Sequence, residues 1–213
     1  MAERVCVPRR SLHAIPDAID DLEAILIEPL AAAFRMVEQV DPQPGQSLAV
    51  LGDGKLGILC AWAARLTPAQ VHLIGKHHDK LALAGDRIET HLLADAPTLA
   101  HRFDIVVDAT GSPSGLPAAM QLVRPCGSIV LKTTIAARHE THLAPIVVDE
   151  IRVIGSRCGP FPRAIAALAQ RELDVRPLIG AIFPLQDAVS AFHAAAQPGA
   201  RKILLRVVDP ATR

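Results

Sequence analysis

Between residues 47 and 156, short apolar runs recur with almost no polar residue inside them, and this pattern limits the fold more than any other feature of the chain. "SLAVLG" (47–52), "VHLIG" (71–75), "FDIVVDATG" (103–111), "GSIVLKT" (127–133) and "IRVIGS" (151–156) each read as a strand, and "ETHLLA" (89–94) adds a weaker one. A strand with one face in water alternates apolar and polar residues. Runs without that alternation are covered on both faces, as in a parallel sheet flanked by helices. Helical segments fall in the intervals at 55–66, in "HDKLALAGDRI" (78–88) and in "PSGLPAAMQLV" (113–123). Six strands joined by helices predict a doubly wound α/β sheet of the Rossmann kind.

Residues 20–40, "DDLEAILIEPLAAAFRMVEQV", have helical apolar spacing with an interruption expected at Pro29, and "DPQPGQS" (41–47) is turn material that marks a boundary. After Ser156 the pattern changes: helix at 161–173, strand at 178–185, helix at 186–197 and a closing strand at 202–208. This tail and the first forty residues read as pieces of another layer. Lys plus Arg and Asp plus Glu balance at 22 each, which gives no basis for wholesale attraction to nucleic acid or an anionic membrane. No run reaches the roughly 18 apolar residues of a membrane span, and the start has no signal-peptide core, so a cytoplasmic location is expected. Cys6, Cys60, Cys126 and Cys158 are too scattered for paired CxxC zinc motifs and read as reduced, partly buried thiols.

Gly52, Gly54 and Gly57 form G-x-G-x-x-G directly after a predicted strand and directly before a predicted helix. The first glycine permits a tight turn, the second lets backbone approach a pyrophosphate, and the third lets helix and strand pack closely. Lys55 and Leu56 belong to the same loop, whose following helix offers unpaired N–H groups to phosphates. NAD sites carry an acid at the end of the second strand. Here that strand ends "LIGKHHDK", with Gly75 at the expected place, followed by Lys76, His77 and, three positions on, Lys80. Glycine removes a carboxylate that would repel a 2′-phosphate, and Lys76 supplies a positive charge, which favours NADP(H) over NAD(H). The alternative is a solvated loop whose charges do nothing. "DATGS" (108–112) follows the fourth strand at the switch point, where small residues, Ala109, Thr110 and Gly111, let backbone come close to a nicotinamide ribose.

"EPLAAAF", "VLGDGKLG", "KLALA", "DIVVDATGSPSGL", "RPCGSIVLK" and "GSRCGPF" together resemble the medium-chain, zinc-type alcohol dehydrogenases over nearly the whole chain, with "GSRCGPF" pointing to one branch. The resemblance implies a Rossmann domain at 30–155, flanked by remnants of a GroES-like catalytic domain at 1–29 and 156–213. It also implies hydride transfer between an alcohol and a carbonyl compound, with zinc in full-length relatives. Glu28 matches a glutamate beside the catalytic zinc of polyol-dehydrogenase-like members, but one carboxylate cannot hold zinc alone. The family's upstream cysteine ligand, its Gly-His-Glu motif and its four-cysteine lobe do not occur here, so zinc is not expected on this chain and no catalytic residue is assigned. His13, His91, His101, His139, His142 and His193 are expected to have surface or packing roles.

Three readings follow. The first is a truncated NADP(H)-binding, zinc-type oxidoreductase acting on a small-molecule alcohol or carbonyl substrate. The second is a dinucleotide-binding module without catalysis, and the third a zinc-free quinone or enoyl reductase. The resemblance also implies a homodimer through strand 151–154, an apolar edge that would be a liability if left bare.

Overall fold

The structure, a computed structural model, describes residues 5–136 and 138–207; the outer ends of the two flanking segments, 1–4 and 208–213, and Ala137 lie outside the described residues. Six parallel strands form the main sheet: β1 (Ser47–Leu51), β2 (Gln70–Gly75), β3 (Ile88–Leu92), β4 (Phe103–Asp108), β5 (Val123–Leu131) and β6 (Arg152–Gly155). Their order is β3-β2-β1-β4-β5-β6, the doubly wound arrangement expected from the apolar runs. Because successive residues point to opposite faces, Leu48 and Val50 enter one core and Ala49 and Leu51 the other. All four are essentially fully buried, which is why the run shows no alternation.

The helices are α1 (Asp21–Ala24), α2 (Ile27–Val40), α3 (Lys55–Ala64), α4 (His78–Leu81), α5 (Gly115–Leu122), α6 (Ala144–Val148), α7 (Phe161–Ala169) and α8 (Ala188–Ala195). Pro29 does not interrupt the helix around it. The break falls earlier, at Ile25 and Leu26, and Pro29 sits in the first turn of α2, where a missing N–H leaves no intrahelical bond unmade. The helical reading of 78–88 shortens to α4 and a 3-10 turn at Ala82–Ala84, ended by Gly85 at φ +72, and Ile88 already belongs to β3. Strand β5 starts earlier than expected. Phe103 pairs with Val123 and Ile105 with Ser128, so an irregularity holding Cys126 at φ 60 lies between the two regular pairings. Helix α6 and a 3-10 segment at Leu93–Leu99 carry no clear apolar period and were not anticipated.

The chain after Ser156 contributes to two units. Ala164, Ala167 and Leu168 of α7, then Leu173, Val175 and Leu178, join the core that holds Leu48 and Val50. Helix α7 meets α2 so closely that a β-carbon at Gly159 would overlap the Ala31 carbonyl. Strands β7 (Ile179–Pro184) and β8 (Lys202–Arg206) instead form a separate parallel pair joined through α8. Two polar clamps tie the chain that follows β6 to helices α1 and α2. The Lys132 ammonium, 7 % exposed, donates to Ala32 O at 2.6 Å, Arg157 O at 3.1 Å and Ser156 Oγ at 3.2 Å. The buried Glu23 carboxylate closes a capping box with Asp20 and pairs with Arg171.

Of the thiols, Cys60 is buried and Cys6, Cys126 and Cys158 are exposed, so only one of the four answers to the expectation of partial burial. Burial pushes the Cys60 thiol up to about 12, against the opposing charge of Lys132.

Gly57 tests how tightly α3 is seated, since a β-carbon there would overlap the Gly52 carbonyl. Gly57→Ala is expected to cost about 1–3 kcal/mol or more of stability, the range for overpacking a tight contact. A lowered urea midpoint at unchanged slope is the readout, and a midpoint equal to wild type contradicts the seating described here.

Candidate dinucleotide site

Strand β1 ends at Leu51 and α3 begins at Lys55, leaving three residues to turn the chain. Each glycine of the motif has a distinct job. Gly52 adopts φ +117, and a β-carbon on it would lie 2.7 Å from the Ala109 carbonyl oxygen, so it allows both the turn and the approach to the chain leaving β4. Gly57 allows the seating of α3 on that turn. Gly54 is extended, at φ −73, and no atom lies within 4 Å of where its β-carbon would be. Its missing side chain therefore leaves open space on the outer side of the loop, beside the first-turn amides of α3 that have no intrahelical acceptor.

That space belongs to a cavity of about 310 Å³ at the carboxyl ends of the strands, at the switch between β1 and β4. Of the residues picked out from the sequence, Gly52, Gly54, Gly75, Lys76, His77, Lys80 and Thr110 line it. Lys55, Leu56, Gly57, Ala109 and Gly111 do not. Gly57 and Ala109 stand behind the loop as packing partners. Leu56 packs against the core, and Gly111 N–H donates to Thr133 Oγ1 at 3.0 Å. Lys55 reaches the Ala200 carbonyl at 3.3 Å, and burial, then Lys202 and Lys80, hold its ammonium below the ordinary lysine range.

The residue that sequence reasoning missed is Asp53, the first variable position of the motif. It is 7 % exposed, and its Oδ2 accepts from the Lys76 and His77 amides, both at 2.7 Å, while the His77 ring Nδ1 lies 2.9 Å away. A β-carbon at Gly75 would come within 2.5 Å of the Asp53 β-carbon. Gly75 is thus required to make room for an acid reaching over from the loop, and the end of β2 is not empty of carboxylate after all. Burial pushes this carboxyl up, but the two amides and the His77 ring outweigh it and keep Asp53 below the ordinary aspartate range. The only sequence signal was an acid inside the glycine loop facing a glycine at the next strand end.

A second carboxylate organises the other wall. Asp108, buried at the end of β4, accepts from Thr110 N at 3.0 Å, Thr110 Oγ1 at 2.8 Å and Thr133 Oγ1 at 2.8 Å. Gly115 is required beside it, because a β-carbon there would strike the carboxylate. Ser112, Ser114 and Gly115 join Thr110 along the cavity wall. Backbone and hydroxyl groups therefore face the cleft where the sequence "DATGS" showed only smallness.

The residues fit a dinucleotide: an open glycine cradle, two lysines and a polar wall converge on one crevice. They do not make up a catalytic zinc site. Glu28 is exposed in the first turn of α2, and among the described residues no convergent group of three His, Cys, Asp or Glu side chains includes it.

Asp53→Ala is expected to cost about 1–3 kcal/mol, because it removes the acceptor of the Lys76 and His77 amides. Since the folded carboxyl titrates below its unfolded value, its contribution is full above about pH 4 and fades as pH falls through the folded value. Chemical denaturation at pH 7 and pH 3 checks this: the variant's deficit should shrink at the lower pH, and a deficit independent of pH contradicts it.

No protein-family model matches the chain. In sequence it is similar to D-xylulose reductase A of Aspergillus oryzae, 26% identical over 98% of this chain and 63% of the relative. Sorbitol dehydrogenase of Halalkalibacterium halodurans is 23% identical over 98% of this chain and 65% of the relative. The fold matches a crystal structure described as a zinc-binding dehydrogenase from Sinorhizobium meliloti bound to NADP. The TM-score is 0.84 at 24% identity, covering 93% of this chain and 63% of that one. The chain thus spans 63–65% of the length of these curated relatives. The chain is thus similar in sequence to a D-xylulose reductase and a sorbitol dehydrogenase, and its fold matches that of a dehydrogenase crystallised with NADP.

Proposed function

We propose that the chain is the NADP(H)-holding part of a zinc-type oxidoreductase that interconverts a small-molecule alcohol and its carbonyl compound. The observation that carries this reading is the cavity at the strand switch point, with the bare Gly54 cradle on one side and Lys76 and Lys80 on the other. In this reading the first-turn amides of α3 hold the pyrophosphate, and Thr110 and its neighbours face the nicotinamide ribose. The bound cofactor supplies the hydride donor or acceptor. The chain's own residues bind and orient it, and no step is routed through a metal on Glu28.

The preference for NADP(H) over NAD(H) rests on charge. The acid at the end of β2 comes from the loop, and its Oδ2 is occupied by two amides and a ring nitrogen. Lys76, exposed, and Lys80, half-buried, supply positive charge on the rim for a 2′-phosphate. The flanking segments 1–29 and 156–213 are assigned to the catalytic side of the parent fold, with α7 and residues 173–178 as the part that packs back onto the main sheet's core.

We also assign β6 to a homodimer contact. It ends the sheet, its outer edge has no partner strand among the described residues, and Val153 is exposed on it. Among the described residues no helix is long and apolar enough to cross a membrane.

Fluorescence titration with NADPH and NADH tests the cofactor assignment. NADPH is expected to bind more tightly, Lys76→Glu to weaken NADPH about tenfold, or 1.4 kcal/mol, with little change for NADH, and Gly54→Ala to weaken both. Tighter NADH binding overturns the role given to Lys76. For association, sedimentation is expected to show a dimer that Val153→Lys shifts toward monomer.

A further inference from the structure

At the end of the sheet away from the nucleotide cleft, three side chains converge that take no part in it. His72 lies on β2, and Glu89 and His91 lie on β3; the parallel register sets His72 beside Glu89, and alternation keeps Glu89 and His91 on the same face. His72 Nδ1 is 3.0 Å from His91 Nε2. Glu89 Oε2 is 3.5 Å from the first nitrogen, and its Oε1 is 3.5 Å from the second. Among the described residues this is the single group of three His, Cys, Asp or Glu side chains whose ligand atoms all lie within 4.8 Å of one another.

Hydrogen bonding alone accounts for only part of this geometry. One ring can donate to the other at 3.0 Å, but a carboxylate 3.5 Å from both nitrogens is beyond good hydrogen-bond distance from either. An ion held by both rings and by one or both Glu89 oxygens accounts for the convergence of the three side chains. Zinc–ligand bonds of about 2.0–2.2 Å at tetrahedral angles put neighbouring ligand atoms about 3.3–3.5 Å apart. The two ring nitrogens lie 3.0 Å apart, and each is 3.5 Å from a different Glu89 oxygen, Oε2 for His72 and Oε1 for His91, so small side-chain adjustments bring all three groups to that spacing. Two imidazoles and a carboxylate suit zinc and its first-row divalent neighbours rather than calcium or magnesium.

The surroundings favour a fixed site. His72 is buried and meets the Phe103 ring edge-on at 5.0 Å, which holds its orientation. Glu89 is the outermost of the three, on the solvent side. A cavity of about 380 Å³ reaches the group past Ser47 and Gln70, at the amino ends of β1 and β2. Arg102 lines the same cavity and opposes a cation there; the Glu89 carboxylate offsets it. The group is separate from Glu28, because α2 packs on the other face of the sheet.

We propose that His72, Glu89 and His91 bind one divalent cation of the zinc class, with the remaining position left to water, and that the ion clips edge strand β3 to β2. The test uses the full chain, stripped with chelator and with its exposed thiols alkylated, titrated with Co²⁺ and then competed with Zn²⁺. Expected are one equivalent of Co²⁺ per chain, the visible bands of a four-coordinate ion, their displacement by Zn²⁺, and slower hydrogen exchange of β3 amides in the zinc form. Glu89→Gln and His91→Gln are each expected to weaken binding at least about tenfold. NADPH affinity in Glu89→Gln should equal wild type, which shows that the fold is intact and keeps this outcome distinct from the cofactor assignment. Absence of saturable one-to-one binding, or wild-type affinity in both variants, overturns the proposal.

Discussion

The backbone contact between Gly57 and Gly52, with Ala109 pressed against the same turn, is the constraint on which the rest of the site depends. Strands β1 and β4 pair side by side, yet the chains that leave them go to opposite faces of the sheet, α3 to one and α5 to the other. A crevice opens where they part. Gly52 N–H still bonds Ile74 O at 2.8 Å and Ala109 N–H bonds Leu51 O at 2.9 Å, so the crevice floor continues the sheet's own hydrogen bonding. With no side chain at 52 or 57, α3 starts directly against this floor. Its free amides then face the crevice and not the protein interior.

Charge around the crevice is arranged in a way that neither the motif nor the net balance of the chain reveals. Asp53 accepts at Oδ2 from the Lys76 and His77 amides, with the His77 ring beside it, and so fixes the turn after β2. The cations are arranged oppositely. Lys55 is held below the ordinary lysine range by burial and then by the nearby charges of Lys202 and Lys80. A phosphate-bearing ligand in the crevice meets the positive charge of Lys76 and Lys80, which line it.

How much of this was legible in the sequence depended on the kind of interaction. The six strands and the cradle glycines were readable because burial on both faces erases polar alternation and because glycine is needed wherever backbone meets backbone. Pro29 misled because proline is a breaker only inside a helix, and its position within the helix depends on where the preceding turn ends. Asp53 and Gly75 are 22 residues apart, and their fit exists only once β1 and β2 pair. His72 was silent for the same reason: an isolated histidine in an apolar run acquires meaning only when the register sets it beside Glu89. Local pattern is visible in one dimension, whereas side-chain convergence across strands is a property of register.

Register also connects the two ends of the sheet. Strand β3 is an edge, paired on one side alone, and most of its residues keep contact with solvent. Burial therefore does less to hold it than it does for β1 or β4, and polar contacts across to β2 carry more of the task. The pairing that sets His72 beside Glu89 also sets Gly75 beside Leu92, and the next residue, Leu93, lines the nucleotide cavity. A strand fixed at its His72 contact cannot slip by one residue without turning His91 to the opposite face and moving Leu93 off the crevice. The β2–β3 pairing itself thus runs from the His72 contact to the cleft at the carboxyl end, and no side chain of the cluster lines that cleft.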